Sequence, residues 1–172
     1  VPLYLNTAKL APALLSGSSV ILKPSSATPL SALWLADLFR EAGLPEGVLS
    51  VVTGPSSVGD HLVSHPDVDK ISFTGSTEVG KLLYRQSADT VKRLVLELGG
   101  HAPFIVFADA DLDLAVSEAI KAKFATSGQD CLGANRFLVE RPVYDAFCKG
   151  FAARTRALAA QLGLEVVPVE EI

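Results

Sequence analysis

Cys131 is the residue whose chemistry is most open to interpretation in this sequence. It lies in SGQDCLGANR (127–136), a glycine-containing loop between a predicted helix and a predicted strand. Nucleophiles are often found in loops on a rigid scaffold, but free cysteines are more often buried and inert. Taken alone, Cys131 is therefore better explained as packing, and the same role is expected for Cys148 in a later helix.

Glu97 is the carboxylate best suited to act with such a thiol. It lies near the end of an apolar stretch, LVLELGG (94–100), where leucines flank it and two glycines follow. A carboxyl group in apolar surroundings can serve as a general base, and a thiol with a carboxylate base is a pair suited to covalent catalysis. The alternative is structural, because a strand-end glutamate usually pairs with a lysine or faces water.

Three polar turns could hold a phosphate-bearing cofactor. They are LKPSS (22–26), TGPSSVG (53–59) and FTGSTEVG (73–80), and each follows a predicted strand. Cofactors bind beyond the C-terminal ends of strands in open parallel sheets. Gly75 and Ser76 are expected at a helix N-terminus, whose amides can receive a phosphate, although an ordinary capped turn explains them equally well. Because GxGxxG is absent, a dinucleotide would be held in a non-standard way.

Alternating strands and helices are predicted to position these turns. Thr28 is expected to cap the first helix after the first strand, and Gly43 to end it. The succession of βαβ units implies a parallel sheet covered on both faces, the pattern of a nucleotide-binding α/β domain. A boundary is expected near Gly99–Gly100. The predicted strands cover 19–24, 48–54, 69–75, 92–100, 102–107 and 136–140.

Composition limits the function classes that are open to the chain. Its 172 residues are 49% hydrophobic and 20% charged, as in a globular protein with a core. A net charge of −4 argues against nucleic-acid partners, and no apolar stretch is long enough to span a membrane. His61 and His65 lack a third ligand, so no metal site is expected. The two cysteines fit no disulfide framework, which favours a reducing, cytoplasmic location.

Together these motifs resemble the aldehyde dehydrogenase superfamily, most closely its succinate-semialdehyde dehydrogenase branch. The resemblance implies an α/β fold, with a parallel Rossmann-like βαβ sheet and the first part of the catalytic domain. It implies part of an NAD(P)-binding domain over 1–100 and an incomplete catalytic domain, with the nucleophile loop, over 101–172. The matching stretches are LKPSSATPLSA, GLPEGVLSVVTG, ISFTGSTEVGK, LVLELGG, PFIVFADADLDLAV and GQDC, in the family's order.

The resemblance also implies a role for each candidate residue. Cys131 matches the nucleophile that attacks the aldehyde to give a thiohemiacetal and, after hydride transfer, a thioester. Glu97 matches the base that activates water for hydrolysis. Ser26 stands where NAD-preferring members carry Glu, so NADP use is favoured or at least allowed. NADP or NAD is the implied cofactor, and the matching positions are Lys23, Ser26, Gly54, Gly59, Gly75, Ser76 and Leu98.

Some positions depart from the family pattern. The oxyanion-hole Asn of the family would precede Val1, and a later Glu-containing motif does not occur in this sequence. Asp130 adds a like charge beside the thiol, and Thr126 stands where this branch carries Asn. Ala8 and Ala125 align with the two arginines that grip the succinate carboxylate, so the substrate is left open between succinate semialdehyde and another aldehyde.

Two interpretations therefore stay open. The first is an NAD(P)-dependent aldehyde dehydrogenase for a small-molecule aldehyde, present as part of a longer chain or as a truncated product. It is expected to form a homo-oligomer or to associate with the missing parts of its subunit. The second is a catalytically inactive remnant, acting at most as a nucleotide-binding or interaction module. Exposed apolar surface and unpaired strand edges are expected in both cases.

Overall fold

The computed structural model describes residues 2–167, in which helices alternate with short strands. The chain divides into two compact units, one ending at Leu98 and the other beginning at Gly99. The helices are α1 (Pro2–Leu15), α2 (Leu30–Glu41), α3 (Ser56–Ser64), α4 (Thr77–Gln86), α5 (Leu112–Phe124) and α6 (Arg141–Gln161). The strands are β1 (Val20–Leu22), β2 (Leu49–Val51), β3 (Lys70–Gly75), β4 (Arg93–Leu98), β5 (Pro103–Val106) and β6 (Arg136–Val139).

The strands pair in parallel, as the βαβ pattern predicts. Within the described residues they form three two-stranded sheets, β1 with β2, β3 with β4, and β5 with β6. The expectation of one continuous sheet across the first four strands is therefore wrong for this part of the chain. Continuity would need backbone hydrogen bonds between strands of different pairs, and among the described residues no strand pairing joins β1 and β2 to β3 and β4.

Two of the residues predicted to begin or end a helix do so, and one does not. Ser76 caps α4 by accepting the Val79 N–H at 3.3 Å. Gly43 adopts a φ of 88° just after α2, where a left-handed residue ends a helix. The expectation that Thr28 caps α2 is wrong, because Pro29 occupies the N-cap and makes no side-chain cap bond there.

The core of the second unit lies between β5, β6 and the two long helices. Val106, Val116, Ala119 and Phe147 are buried together. Phe137 lies at the centre of an aromatic group, with its ring centroid 5.1 Å from that of Phe151. Burial of these side chains is the main stabilising contribution available to a unit of this size.

Large apolar side chains are exposed in both units, as expected. Trp34 is 57% exposed on α2, and Ile105 is 56% exposed on the face of β5 opposite the helices. Each two-stranded sheet also has unpaired edges among the described residues. Such surface favours contact with further protein. None of the helices in residues 2–167 has the length and hydropathy of a membrane span.

Candidate active site

Four of the predicted cofactor residues meet at the C-terminal ends of β1 and β2. The Ser26 hydroxyl donates to the Gly54 carbonyl at 2.9 Å, which joins the turn after β1 to the turn after β2. The Lys23 side chain passes beside Gly59, where an added Cβ would lie 3.6 Å from the Lys23 Cδ atom. A shallow, open concavity lined by residues 27–31 lies directly after Ser26. This end of a parallel strand pair is where nucleotide ligands bind.

Gly54 is required by the geometry of its turn. Its φ of 149° is strained for any residue with a side chain, and an added Cβ would lie 2.7 Å from Val58 Cγ2. The glycine therefore lets the chain enter α3 while its carbonyl accepts the Ser26 hydroxyl.

The other three predicted cofactor residues form a second group at the ends of β3 and β4. Gly75 pairs directly with Leu98 across the two strands. Ser76 begins α4, and the side chain of Leu98 lies against Gly80 in that helix, where an added Cβ would approach Leu98 Cδ2 to 2.7 Å. The sequence analysis missed Gly80. The feature that could have indicated it is the second glycine of FTGSTEVG, five residues after Gly75.

Glu97 is exposed, so the apolar surroundings expected for its carboxyl are wrong. It lies opposite Thr74 in the β3–β4 ladder, and alternation along β4 turns the leucines rather than the glutamate inward. Lys9 of α1 is its charged neighbour. Burial lowers the pKa of Lys9, while the charge of Glu97 raises it. The Lys9 ammonium also donates to Ser72 Oγ at 3.1 Å.

Lys9 is a residue of this site that the sequence analysis missed. No strand or helix was predicted for the first residues, and the α1 helix contains Pro12, which disguises its helical pattern. Only the packing of α1 on the strands brings Lys9 to Ser72 and Glu97. A lysine facing a strand-end glutamate is also the structural alternative considered for Glu97.

Cys131 is exposed, so its interpretation as a buried packing residue is wrong. Its thiol donates to Asp130 Oδ1 at 3.6 Å. The same carboxylate accepts the Leu132 amide at 3.0 Å and the Thr126 hydroxyl at 3.0 Å. The Leu132 amide makes the largest contribution in lowering the pKa of Asp130, and the Thr126 hydroxyl adds to it. The thiol is thus accessible and held by an ionised neighbour.

Cys148 is also exposed, contrary to the packing role expected for it. It lies on α6 one turn after Tyr144, and a hydrogen bond between the two raises the pKa of the Tyr144 phenol. The second thiol is therefore a useful accessible reference for the reactivity of Cys131.

The remaining candidates fall outside these groups. The rings of His61 and His65 stack edge to face with centroids 6.1 Å apart. Across residues 2–167 no cluster of three or more His, Cys, Asp or Glu side chains could hold a metal ion. Ala8 and Ala125 are exposed small residues without a charged group to offer an anionic substrate.

Parallel strands followed by polar turns define this chain as an α/β protein of the nucleotide-binding type. The chain belongs to the aldehyde dehydrogenase family, whose model matches residues 1–166. It is 53% identical over 165 residues to 3-sulfolactaldehyde dehydrogenase of Pseudomonas putida, covering 95% of this chain and 34% of that protein. It is 53% identical over 149 residues to the NADP(+) succinate-semialdehyde dehydrogenase of Escherichia coli, covering 86% and 31%.

Solved structures confirm the α/β fold class. Succinate-semialdehyde dehydrogenase from Burkholderia pseudomallei superimposes with a TM-score of 0.87 at 52% identity, covering 91% of this chain and 33% of that one. Betaine aldehyde dehydrogenase from Staphylococcus aureus in complex with NAD+ gives 0.87 at 39% identity, covering 90% and 31%. The chain thus spans about a third of the length of the relatives it matches.

Proposed function

We propose that this protein acts as an NAD(P)-dependent aldehyde dehydrogenase, with Cys131 as nucleophile and Glu97 as base. The observation that carries the proposal is the meeting of Lys23, Ser26, Gly54 and Gly59 at the ends of β1 and β2. All four match cofactor-binding positions of the family in the sequence. Their convergence on one edge is what a shared nucleotide site requires.

The donors of the two groups, one at the ends of β1 and β2 and the other at the ends of β3 and β4, fit a dinucleotide. Lys23 offers an ammonium and Ser26 a hydroxyl, which suit ribose hydroxyl and phosphate oxygens. The α4 N-terminus after Gly75 has unsatisfied backbone amides that favour a phosphate. Leu98 adds an apolar surface beside Gly80. The uncharged side chain of Ser26 leaves room for a 2′-phosphate, which supports NADP at least as well as NAD.

The protein's part in the chemistry begins at Cys131. Its thiolate attacks the aldehyde carbon, forming a carbon–sulfur bond and placing negative charge on the carbonyl oxygen. NAD(P)+ held by Lys23 and Ser26 would supply the acceptor for the hydride on this carbon. The acyl group then remains on Cys131 as a thioester.

Glu97 acts in the second half of the reaction. Its carboxylate takes a proton from water, and the resulting hydroxide attacks the thioester carbon. The carbon–sulfur bond breaks, the carboxylic acid leaves, and Cys131 is free again. Lys9 is the charged neighbour of Glu97 in this unit.

The substrate class we propose is a small aldehyde. The 3-sulfolactaldehyde and succinate-semialdehyde dehydrogenases that resemble this chain are named for aldehydes bearing an anionic group. Ala8 and Ala125 supply no positive charge for such a group, so an uncharged aldehyde is the preferred candidate. We also propose that the exposed apolar surface is covered by self-association or by further parts of the subunit. A cytoplasmic location stays a prediction.

Cofactor binding is tested by calorimetric titration with NADP+ and NAD+. The Ser26→Glu variant puts a carboxylate beside the proposed 2′-phosphate position, and like charges at this range cost roughly 1 to 3 kcal/mol. We expect NADP+ affinity to fall about tenfold or more while NAD+ affinity changes little. Lys23→Gln should weaken both, and Lys70→Gln, at an exposed lysine on β3, serves as the matched control. Equal behaviour of all the variants would contradict the assignment.

The nucleophile is tested by hydrolysis of p-nitrophenyl acetate and by peptide mapping of alkylated protein, with and without NADP+. We expect the acetyl group on Cys131, loss of hydrolysis in Cys131→Ser, and normal hydrolysis in Cys148→Ser. NADP+ should change alkylation of Cys131 but not of Cys148. Cofactor binding without acylation would instead support the inactive nucleotide-binding remnant.

A further inference from the structure

We propose that Asp130 is a positioning residue for Cys131: its carboxylate accepts the hydrogen bond of the resting thiol and fixes the direction of that thiol, while Thr126 holds the Asp130 carboxylate in place. The inference rests on the proposed role of Cys131 as nucleophile. It concerns the state of that thiol before substrate arrives, and nothing in the family resemblance assigns such a role to either residue.

The first support is the set of donors around one carboxylate. Asp130 Oδ1 accepts the Leu132 amide at 3.0 Å and the Cys131 thiol at 3.6 Å. Asp130 Oδ2 accepts the Thr126 hydroxyl at 3.0 Å. Since both oxygens are engaged, the carboxylate cannot rotate without breaking a bond, and the thiol proton has a fixed acceptor.

The second support is strained backbone in the turn that carries Thr126. Thr126 and Ser127 have φ values of 54° and 59°, and Gly128 follows at 72°. Three consecutive left-handed residues are unusual, and a β-branched residue such as threonine is disfavoured there. The hydroxyl bond from Thr126 to Asp130 is the compensation that the threonine makes possible.

The third support is the direction of proton transfer. The Leu132 amide and the Thr126 hydroxyl lower the pKa of Asp130, which makes its carboxylate a weak base. Such a carboxylate accepts the thiol hydrogen bond but is a poor base for removing the thiol proton. The thiol must lose it to another base, and the thiolate then lies beside a like charge.

The basic side chain that is bonded to Asn135 in this loop has a partner other than Asp130. Lys123 of α5 directs its ammonium to Asn135 Oδ1 at 2.6 Å, and Asn135 in turn donates to the Gly100 carbonyl. Removing the Asp130 charge should therefore make Cys131 more reactive at rest, not less.

The test is alkylation of the 172-residue chain with iodoacetamide, followed by peptide mapping of both cysteines. Cys148 is exposed in the same molecule, so the ratio of Cys131 to Cys148 labelling cancels differences in reagent and concentration. In Asp130→Asn, an isosteric change that keeps an acceptor for the Leu132 amide, the ratio at about pH 7 should rise about tenfold.

Matched variants separate this role from general damage to the loop. Asp109→Asn removes an exposed carboxylate in the turn before α5 and should leave the ratio unchanged. Thr126→Ser keeps the hydroxyl and should match the wild type, whereas Thr126→Val should raise the ratio in part. An unchanged or lower ratio in Asp130→Asn overturns the inference, and if that variant does not fold, an unchanged ratio in Thr126→Val does so.

The Asp130 experiment and the tests of the proposed function can fail independently of each other. Failure of NADP+ to alter Cys131 labelling, or ester hydrolysis that survives Cys131→Ser, would refute the dehydrogenase assignment. Neither result depends on the Asp130 ratio, which reports on the resting thiol alone.

Discussion

Replacement of Lys92 by methionine should destabilise the first unit measurably. Lys92 lies just before β4 and is only 9% exposed. Its ammonium donates to the His65 carbonyl at 2.6 Å and to the Val68 carbonyl at 2.5 Å. These carbonyls belong to the turn between α3 and β3, so one side chain joins that turn to the start of the neighbouring strand.

The expected change in the free energy of unfolding is the balance between the hydrogen bonds that are lost and the burial cost that is removed. Hydrogen bonds from a charged donor contribute about 1.5 to 3 kcal/mol each, so two of them give roughly 3 to 6 kcal/mol. Methionine keeps the length of the stem and removes the cost of burying an ammonium, which offsets several kcal/mol. The His65 carbonyl also keeps a bond from the Val68 amide at 3.2 Å. A net loss of about 2 kcal/mol in the free energy of unfolding is expected.

Urea unfolding followed by circular dichroism measures this loss. With a slope of about 1 to 3 kcal/mol per M, the midpoint of Lys92→Met should fall by roughly 1 M. Lys70→Met, at the exposed start of β3, changes the same side chain in solvent and should move the midpoint little. If the two variants unfold at the same urea concentration, the hydrogen bonds of the buried Lys92 ammonium do not stabilise the first unit.

Three further outcomes follow from contacts in the two units. Burial lowers the pKa of Lys9, so the unfolded chain binds its proton more tightly, and urea stability should rise as the pH increases towards the ordinary pKa of 10.5. The Lys9→Met variant should lack this part of the rise. If its stability changes with pH in parallel with that of the wild type, burial of Lys9 is not the cause of the rise. Phe147→Ala should cost about 3 to 5 kcal/mol in thermal or urea unfolding, against less than about 1 kcal/mol for the exposed Phe107→Ala. Gly54→Ala should weaken calorimetric NADP+ binding more than Gly59→Ala, since only the first meets a clash, and equal losses would contradict the turn geometry.

Periodicity and turn chemistry predicted most of the fold. Each predicted strand occurs within its expected range, because β-branched and leucine-rich runs bounded by glycine, proline and polar turns have few other solutions. The α1 helix was missed because Pro12 and a mixed apolar pattern hide its period. Sheet continuity was overestimated, since it depends on hydrogen bonding between strands that are far apart in the sequence.

The candidate site was predicted less evenly than the fold. The predicted ends of the strands located the turns containing Ser26, Gly54 and Ser76, because strand ends can be inferred from the local sequence. Exposure could not be read in the same way. Glu97 follows an apolar pattern yet is exposed, and Cys131 and Cys148 are both accessible although free cysteines are usually buried. These properties depend on which neighbours cover a residue, and Lys9 shows that such a neighbour can come from an element that was not predicted.

The β3–β4 ladder connects stability at one end to chemistry at the other. Its register pairs Lys70 with Arg93 at the start and Gly75 with Leu98 at the end, without a bulge between. A slip of one residue would turn Glu97 to the opposite face and move Leu98 away from Gly80. The anchor at Lys92 lies directly before the first pair, so it opposes such a slip where the ladder begins. A buried lysine that contacts no candidate ligand residue thereby helps to determine where the proposed base and the proposed cofactor turn lie.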